Sequence, residues 1–323
     1  MECRRVCRKD GQEAAELVMT HALTASQKRQ VAAITAAAIA LYIGFRFLPT
    51  GTNLSHMDFA VKGGNSIEFC DPSNPQFIPV VAVRSPVVMT VESTSPPVAG
   101  RVVSARIRLV TSTGKTLGPE DMVVAHTAKL HLLIVDPSLA DYHHVHPQPT
   151  GSPGEWAFSF TPKGGGTYRI FSDFTPLATG RGLYAHVDLE VAGAVLERPS
   201  VSPVLPAVVS GKDGWSFELI SKDRAIKAGA VAELSLAVSR ADGRDITLDT
   251  VMDAFAHLVA FDAERGGFAH LHPNETDISK PLTGARPTLS FKVTIPRAGR
   301  YVIWAQFSTQ GRERLVPFWI DVT

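Results

Sequence analysis

Cysteine is nearly missing from this chain: there are three in 323 residues, at Cys3, Cys7 and Cys70. If the part beyond the N-terminal apolar run is exported, Cys70 stands alone there and no disulfide can staple it. Cys70 then reads as a small buried hydrophobe rather than a thiol for soft metals. An excess of one charge is missing too, with 32 Lys and Arg against 31 Asp and Glu and a net charge of +1. Without a basic stripe there is no electrostatic footprint for nucleic acid. Catalytic signatures are also lacking: no GxSxG, no HExxH and no Gly-rich phosphate loop. Gly164-Gly165-Gly166 precedes a strand-like run rather than a helix, so it cannot cradle a phosphate. These absences point to a protein that is not an enzyme.

Long apolar runs are scarce. Residues 31 to 45, VAAITAAAIALYIGF, make an uncharged run of 15, which Phe47 and Leu48 extend past Arg46. With Arg46 snorkelling, about 18 residues would reach across a bilayer. Arg4, Arg5, Arg8, Lys9, Lys28 and Arg29 precede the run, so the positive-inside rule keeps residues 1–30 in the cytoplasm. The expectation is a single-pass anchor over 31–48 in the inner (cytoplasmic) membrane, with everything after Pro49 periplasmic or otherwise extracytoplasmic. A cleaved signal peptide and a buried core helix are the rival readings. His21 falls in the cytoplasmic segment, and the His56-Met57 pair in a turn-rich tether.

What the chain does have is a stretch written twice. Leu130 to Pro147, LHLLIVDPSLADYHHVHP, returns as Ala256 to Pro273, AHLVAFDAERGGFAHLHP, at an offset of 126. His131, Asp136, His144, His146 and Pro147 meet His257, Asp262, His270, His272 and Pro273. Six of the 11 histidines occupy these columns. Each copy reads as a β-hairpin: an apolar run, a turn signal, then a short strand stopped by proline. Residues two apart on a strand share a face, which sets His144 beside His146 and His270 beside His272. A hairpin symmetric about its turn would put position 131 opposite 146, with Cβ atoms about 5 Å apart. The aspartates at the turn are accounted for by Asx hydrogen bonds to backbone. His143 points to the opposite face and is expected to be exposed.

The repeats extend well beyond the hairpins. Each has an opening strand, an alternating strand after a Gly turn, the hairpin, a strand ending at Pro162 or Pro296, and two closing strands. Tyr168 and Phe174 in one copy match Tyr301 and Phe307 in the other. About seven strands per repeat, with frequent turn signals, predict an all-β chain of two tandem immunoglobulin-like β-sandwiches, a cupredoxin-like sandwich being the alternative. The expected divisions are a cytoplasmic segment 1–30, anchor 31–48, tether and lead-in 49–85, first sandwich 86–193, Pro-rich linker 194–213 and second sandwich 214–323.

Three neutral imidazoles with an open position suit Zn(II) or Cu(II), so His131, His144, His146, His257, His270 and His272 are the candidate metal ligands. Met89 and Met122 are not placed to join them, and His126 and His186 have no aligned counterpart. The competing reading makes the same histidines structural, packed on a half-buried sheet and bonded to main-chain carbonyls. A three-histidine hydrolase would need a carboxylate base, and the nearest candidates, Asp141 and Glu155, are unmatched in the second copy.

The paired pattern of HL-x3-D, HxHP and a proline–glycine turn into Tyr-x5-Phe resembles a group of bacterial secreted or membrane-anchored proteins associated with heavy-metal, especially copper, transport or resistance. The resemblance implies an extracytoplasmic β-sandwich with a copper role; the expected cofactor is copper, zinc being the second choice, and the expected partner is a metal-handling protein. The Met-rich runs of well-defined copper carriers are absent here.

Overall fold

The first repeat folds into two four-stranded antiparallel sheets, the outer one marked by alternation of apolar and polar residues. In β2 (Val103–Thr111), paired with β1 (Val87–Ser93), the side chains of Val103, Ala105, Ile107 and Leu109 turn inward while Ser104, Arg106 and Arg108 face out. The remaining strands of this repeat are β3 (His131–Val135), β4 (Tyr142–Val145), the two-residue β5 (Gln148–Pro149), β6 (Glu155–Phe160), β7 (Gly166–Phe174) and β8 (Leu183–Val191). One sheet has the order β1-β2-β6-β5 and the other β4-β3-β7-β8. Their inner faces share a core that includes Ile107, Leu109, Leu132, Ile134, Trp156 and Ile170.

The second repeat adds β9 (Ala207–Ser210), β10 (Trp215–Ser221), β11 (Val231–Arg240), β12 (Ile246–Asp249), β13 (Ala256–Asp262), β14 (Phe268–Leu271), β15 (Leu282–Gly284), β16 (Thr288–Thr294), β17 (Gly299–Thr309) and β18 (Arg312–Val322). One sheet runs β16-β11-β10-β9; in the other β14, β13 and β17 are neighbours and β18 pairs along the length of β17. The protein is therefore mostly β, in four antiparallel sheets.

The computed structural model describes residues 24–46, 75–125, 127–200, 203, 205–211 and 214–323. Cys3, Cys7, His21, His56, Met57, Cys70 and His126 lie outside these. The chain divides into two compact units, 1–53 and 54–323. In the first, the run expected to be an anchor is part of the helix α1 (Ala25–Arg46). No helix among the described residues is long and apolar enough to cross a membrane, so the expected span over 31–48 is not supported. The reason is length. The 15-residue run from Val31 to Phe45 rises only about 22 Å as a helix, against a hydrocarbon core of about 30 Å. Phe47 and Leu48 fall outside the described residues.

Within the second unit the sheet holding β3 and the sheet holding β13 press their outer faces together. Leu133, Val135, Tyr142 and Phe171 from the first repeat meet Val259, Phe261, Phe268, Val302, Trp304 and Trp319 from the second in a third apolar cluster. The two sandwiches thus stack as four layers with three cores. A strand between two cores must be apolar on both faces, which is why β3 and β13 are buried at every position. Burying a Phe or Leu contributes about 1.5–3 kcal/mol each, so this seam holds the repeats together.

The described residues of the expected lead-in, from Pro75 on, and of the expected linker join the stack at several points. Ile78 exchanges backbone hydrogen bonds with Phe268 at 2.7 and 3.1 Å, covering the open edge of β14, and Phe77 and Val80 are buried. In the linker, Ala207–Ser210 pairs with β10, and Arg198 donates to the carbonyl of Ala263 at 2.9 Å.

Candidate metal centre

Each histidine hairpin is built from its turn outward. The Asp136 carboxylate accepts from the backbone N–H of Ser138 at 3.0 Å and of Asp141 at 2.8 Å, closing the turn between β3 and β4. Asp262 does the same in the second copy, accepting from Gly266 at 2.7 Å and Gly267 at 3.0 Å. With the turns fixed, Leu132 pairs with Val145 and Leu258 with Leu271. One step further along each ladder sets His131 across from His146 and His257 across from His272, the register the sequence implied.

The face these rings occupy is the seam between the repeats. His131 lies on the same side of β3 as Leu133 and Val135, and His144 on the same side of β4 as Tyr142, all facing the second repeat. His257 and His270 face back toward them. The six rings therefore form one group: His144 lies 5.2 Å from His270 and 5.8 Å from His257, and His131 lies 5.7 Å from His270, between ring centroids. Within each triad, one ligand atom per ring can be chosen so that all three lie within 4.8 Å of one another. These two triads could hold a metal.

The hydrogen-bond partners fix which nitrogen each ring offers. Nε2 of His131 donates to the carbonyl of Ala125 at 3.0 Å, and Nε2 of His257 donates to the carbonyl of Val251 at 3.0 Å. A carbonyl only accepts, so the proton sits on Nε2 and each Nδ1 carries a lone pair. Nδ1 of His144 donates to Oε1 of Gln306 at 2.9 Å. The amide is oriented by its other end, where Nε2 donates to Glu313 at 2.8 Å. Nδ1 of His270 donates to the Asp173 carboxylate at 3.2 Å. Nε2 of the neutral His144 ring therefore carries a lone pair as well. That lone pair faces the one on His131 Nδ1 at 3.2 Å, and in the second triad His270 Nε2 stands 3.3 Å from His257 Nδ1. His146 Nε2 comes within 3.0 Å of the same His131 nitrogen. Two lone pairs at that distance repel unless a cation stands between them. Such an arrangement could hold a metal, the outer nitrogens being bonded to carbonyl, amide and carboxylate groups as those of ligating imidazoles usually are.

Electrostatics keep His144 and His146 in the form that binds. Burial holds His144 well below imidazole's usual 6.5, and the neighbouring rings of His270 and His131 push the same way. Burial also lowers His146. His146 is half-buried and borders a groove of about 550 Å3 lined by Ser104, Arg106, Gln148 and Phe158 among others. There the first triad meets solvent.

The other candidates fall elsewhere. His143 does take the opposite face, but it is half-buried rather than exposed, because its Nε2 reaches the buried Asp141 carboxylate at 3.1 Å and its ring packs on Phe160. Asp141 also accepts from the backbone N–H of Lys163 and from the Tyr168 hydroxyl, each at 2.8 Å. Burial works against its charge, but His143, Lys163 and Tyr168 outweigh it and bring its pKa to about 2. It serves the fold of the first hairpin, not the triads. Glu155 pairs loosely with Arg106 at 3.8 Å. His186 lies on β8, which pairs with β7 rather than with either hairpin strand, and it packs beside Phe171. Met89 and Met122 are buried in the first sandwich core. Two residues the sequence reading missed are Asp173 and Gln306. Each sits opposite the leading histidine of its own repeat, yet reaches the histidine of the other. Their polar neighbours on β7 and β17 gave no local signal that singled them out.

A family described as "Domain of unknown function (DUF8832)" matches residues 86–193 and again 208–323. Among curated proteins none matches the chain. Solved structures give distant likenesses. A protein from Corynebacterium diphtheriae described as membrane anchored aligns with 73% of this chain at 9% identity and a TM-score of 0.24. A Salmonella alpha-2-macroglobulin mutant aligns with 73% at 14% identity and a TM-score of 0.24. A DUF4785 family protein from Legionella pneumophila aligns with 74% at 10% identity and a TM-score of 0.23. The alignments span 58%, 16% and 56% of those chains, and at these scores they carry no argument.

Proposed function

Since the chain belongs to the family described as "Domain of unknown function (DUF8832)", which names no activity, we propose from the histidines themselves that it is a transition-metal-binding protein. The reading rests on one observation. In the first triad two imidazoles whose protons are committed elsewhere turn their lone pairs on each other at 3.2 Å, and the second triad brings the corresponding ring nitrogens to 3.3 Å. An all-imidazole donor set without thiolate or thioether favours Cu(II) and Zn(II), and the Irving–Williams order favours copper between them. We propose copper as the cargo and holding for delivery as the role, with no chemistry of the chain's own; this accords with the heavy-metal proteins that the HxHP pattern resembles. We further infer that each repeat is immunoglobulin-like. The Tyr301 hydroxyl donates to the carbonyl of Arg297 at 3.0 Å, and the Tyr168 hydroxyl lies 3.1 Å from the carbonyl of Gly164, each four residues back, as in a tyrosine corner.

A structural role for the histidines is the second reading, favoured by the bonds from His131 and His257 to main-chain carbonyls. Metal content separates the two. Chelator-stripped protein dialysed against Cu(II) or Zn(II) is expected to retain two ions per chain, His131→Ala with His146→Ala one, and the variant lacking all six histidines none. Retention of no ion by the unaltered protein overturns the proposal.

A further inference from the structure

The outer contacts of the two triads are crossed between the repeats. Asp173 stands opposite His131 in the first repeat, but its carboxylate takes the Nδ1 proton of His270 in the second. Gln306 stands opposite His257 in the second repeat, but its amide oxygen takes the Nδ1 proton of His144 in the first. Both acceptors are buried, with 7% and 2% of their surface exposed, and both occupy corresponding places on β7 and β17. Three ring pairs approach within 5.8 Å across the seam, no further apart than many neighbours within one protein core. Two ions held in these triads would share a single buried space.

We propose that the two triads are one paired metal centre, in which the acceptor that aims each triad's middle imidazole is supplied by the opposite repeat. The proposal rests on the metal-binding reading above and adds to it two positioning residues and a coupling between the ions. An imidazole whose second nitrogen is held by an acceptor is fixed in tautomer and angle, and losing that acceptor weakens metal binding by about 10–100-fold. Here the loss must appear in the repeat that was not altered. Asp173 and Gln306 do not touch the ion, so their effect is transmitted through His270 and His144.

The test uses the full chain, stripped of metal and titrated with Cu(II) under electron paramagnetic resonance. With two equivalents, unaltered protein is expected to show a spectrum broadened by coupling between neighbouring spins. His257→Ala with His272→Ala should bind one equivalent with the sharp spectrum of an isolated ion. In that background Gln306→Ala should weaken copper binding about 10–100-fold while Asp173→Ala leaves it unchanged. In the reciprocal background, His131→Ala with His146→Ala, Asp173→Ala should weaken binding and Gln306→Ala should not. Asp173→Asn, which keeps an acceptor oxygen, should restore most of the loss. Two equivalents bound with additive, uncoupled spectra overturn the paired centre and leave the metal-binding reading standing. Losses that follow the altered repeat, or no loss from either substitution, overturn the crossed orientation. No copper uptake overturns both readings together. If the histidine variants fail to fold, the spectrum of unaltered protein at two equivalents still decides the coupling.

Discussion

Replacing Asp141 by asparagine leaves every candidate ligand in place and removes one buried charge at the start of the strand that carries His144 and His146. In the folded protein this carboxylate accepts from His143 at 3.1 Å, from the Lys163 backbone and Tyr168 hydroxyl at 2.8 Å each, and faces the Lys163 ammonium at 3.3 Å. Its pKa falls from 3.8 to about 2. At 1.36 kcal/mol per unit that is about 2.5 kcal/mol, and because the carboxylate's surroundings are partly screened by solvent, about 1–2 kcal/mol is the expected share. The folded value lies below the unfolded one, so the unfolded chain binds the proton first as pH drops. The stabilisation is therefore complete above pH 3.8 and lost as pH falls through about 2. Urea denaturation of both proteins should show the Asp141→Asn variant less stable by about 1–2 kcal/mol between pH 5 and 7, with the gap narrowing below about pH 4. A gap that stays constant down to about pH 2.5, or none at neutral pH, would refute the reasoning. Metal affinity of the first triad should fall with it, since β4 is held by this network.

Three further outcomes follow from the same geometry. Zinc at 100 times its dissociation constant should stabilise the folded chain by about 2.7 kcal/mol per triad, read as a rise in Tm of about 5–10 °C; no rise speaks against folded-state binding. Phe261→Ala, at a fully buried site of the seam, should cost about 3–5 kcal/mol and weaken metal binding in both triads; weakening in the second alone would mean the repeats do not share that support. Gly267→Ala would place a Cβ 2.0 Å from the Ile78 carbonyl oxygen, so the backbone must part there. The expected result is loss of about 1–3 kcal/mol and faster hydrogen exchange at Ile78 and Phe268, and unchanged exchange would show that the edge pairing gives way without strain.

Much of this was legible in the residues. The alternation in VVSARIRLV and VAELSLAVS marked strands with one wet face, and the hairpin register followed from the spacing of His131, Asp136 and His146 about the turn. The seam between the repeats was not read, although its signal was present. LHLLIVD and AHLVAFD do not alternate, and a short strand with no polar face has to be covered on both sides. Treating those runs only as strands left the triads as two separate hairpin faces. Asp173 and Gln306 were invisible for a different reason: their partners lie 97 and 162 residues away, across a contact that no local pattern encodes. The apolar run expected as an anchor falls within the helix Ala25–Arg46, but hydropathy alone overstated its reach, because spanning depends on length between charges.

Duplication is often taken to leave a spare. Here the two copies lean on each other so closely that neither can be discarded: a chain cut down to one of them would lose the group that steers its own histidine and would bare Leu133, Tyr142 and Phe171, or their counterparts, to water. Such a half would be sticky before it was inactive. Selection on the pair therefore acts on it as a unit, and a change in one copy's β7 or β17 is felt first in its twin.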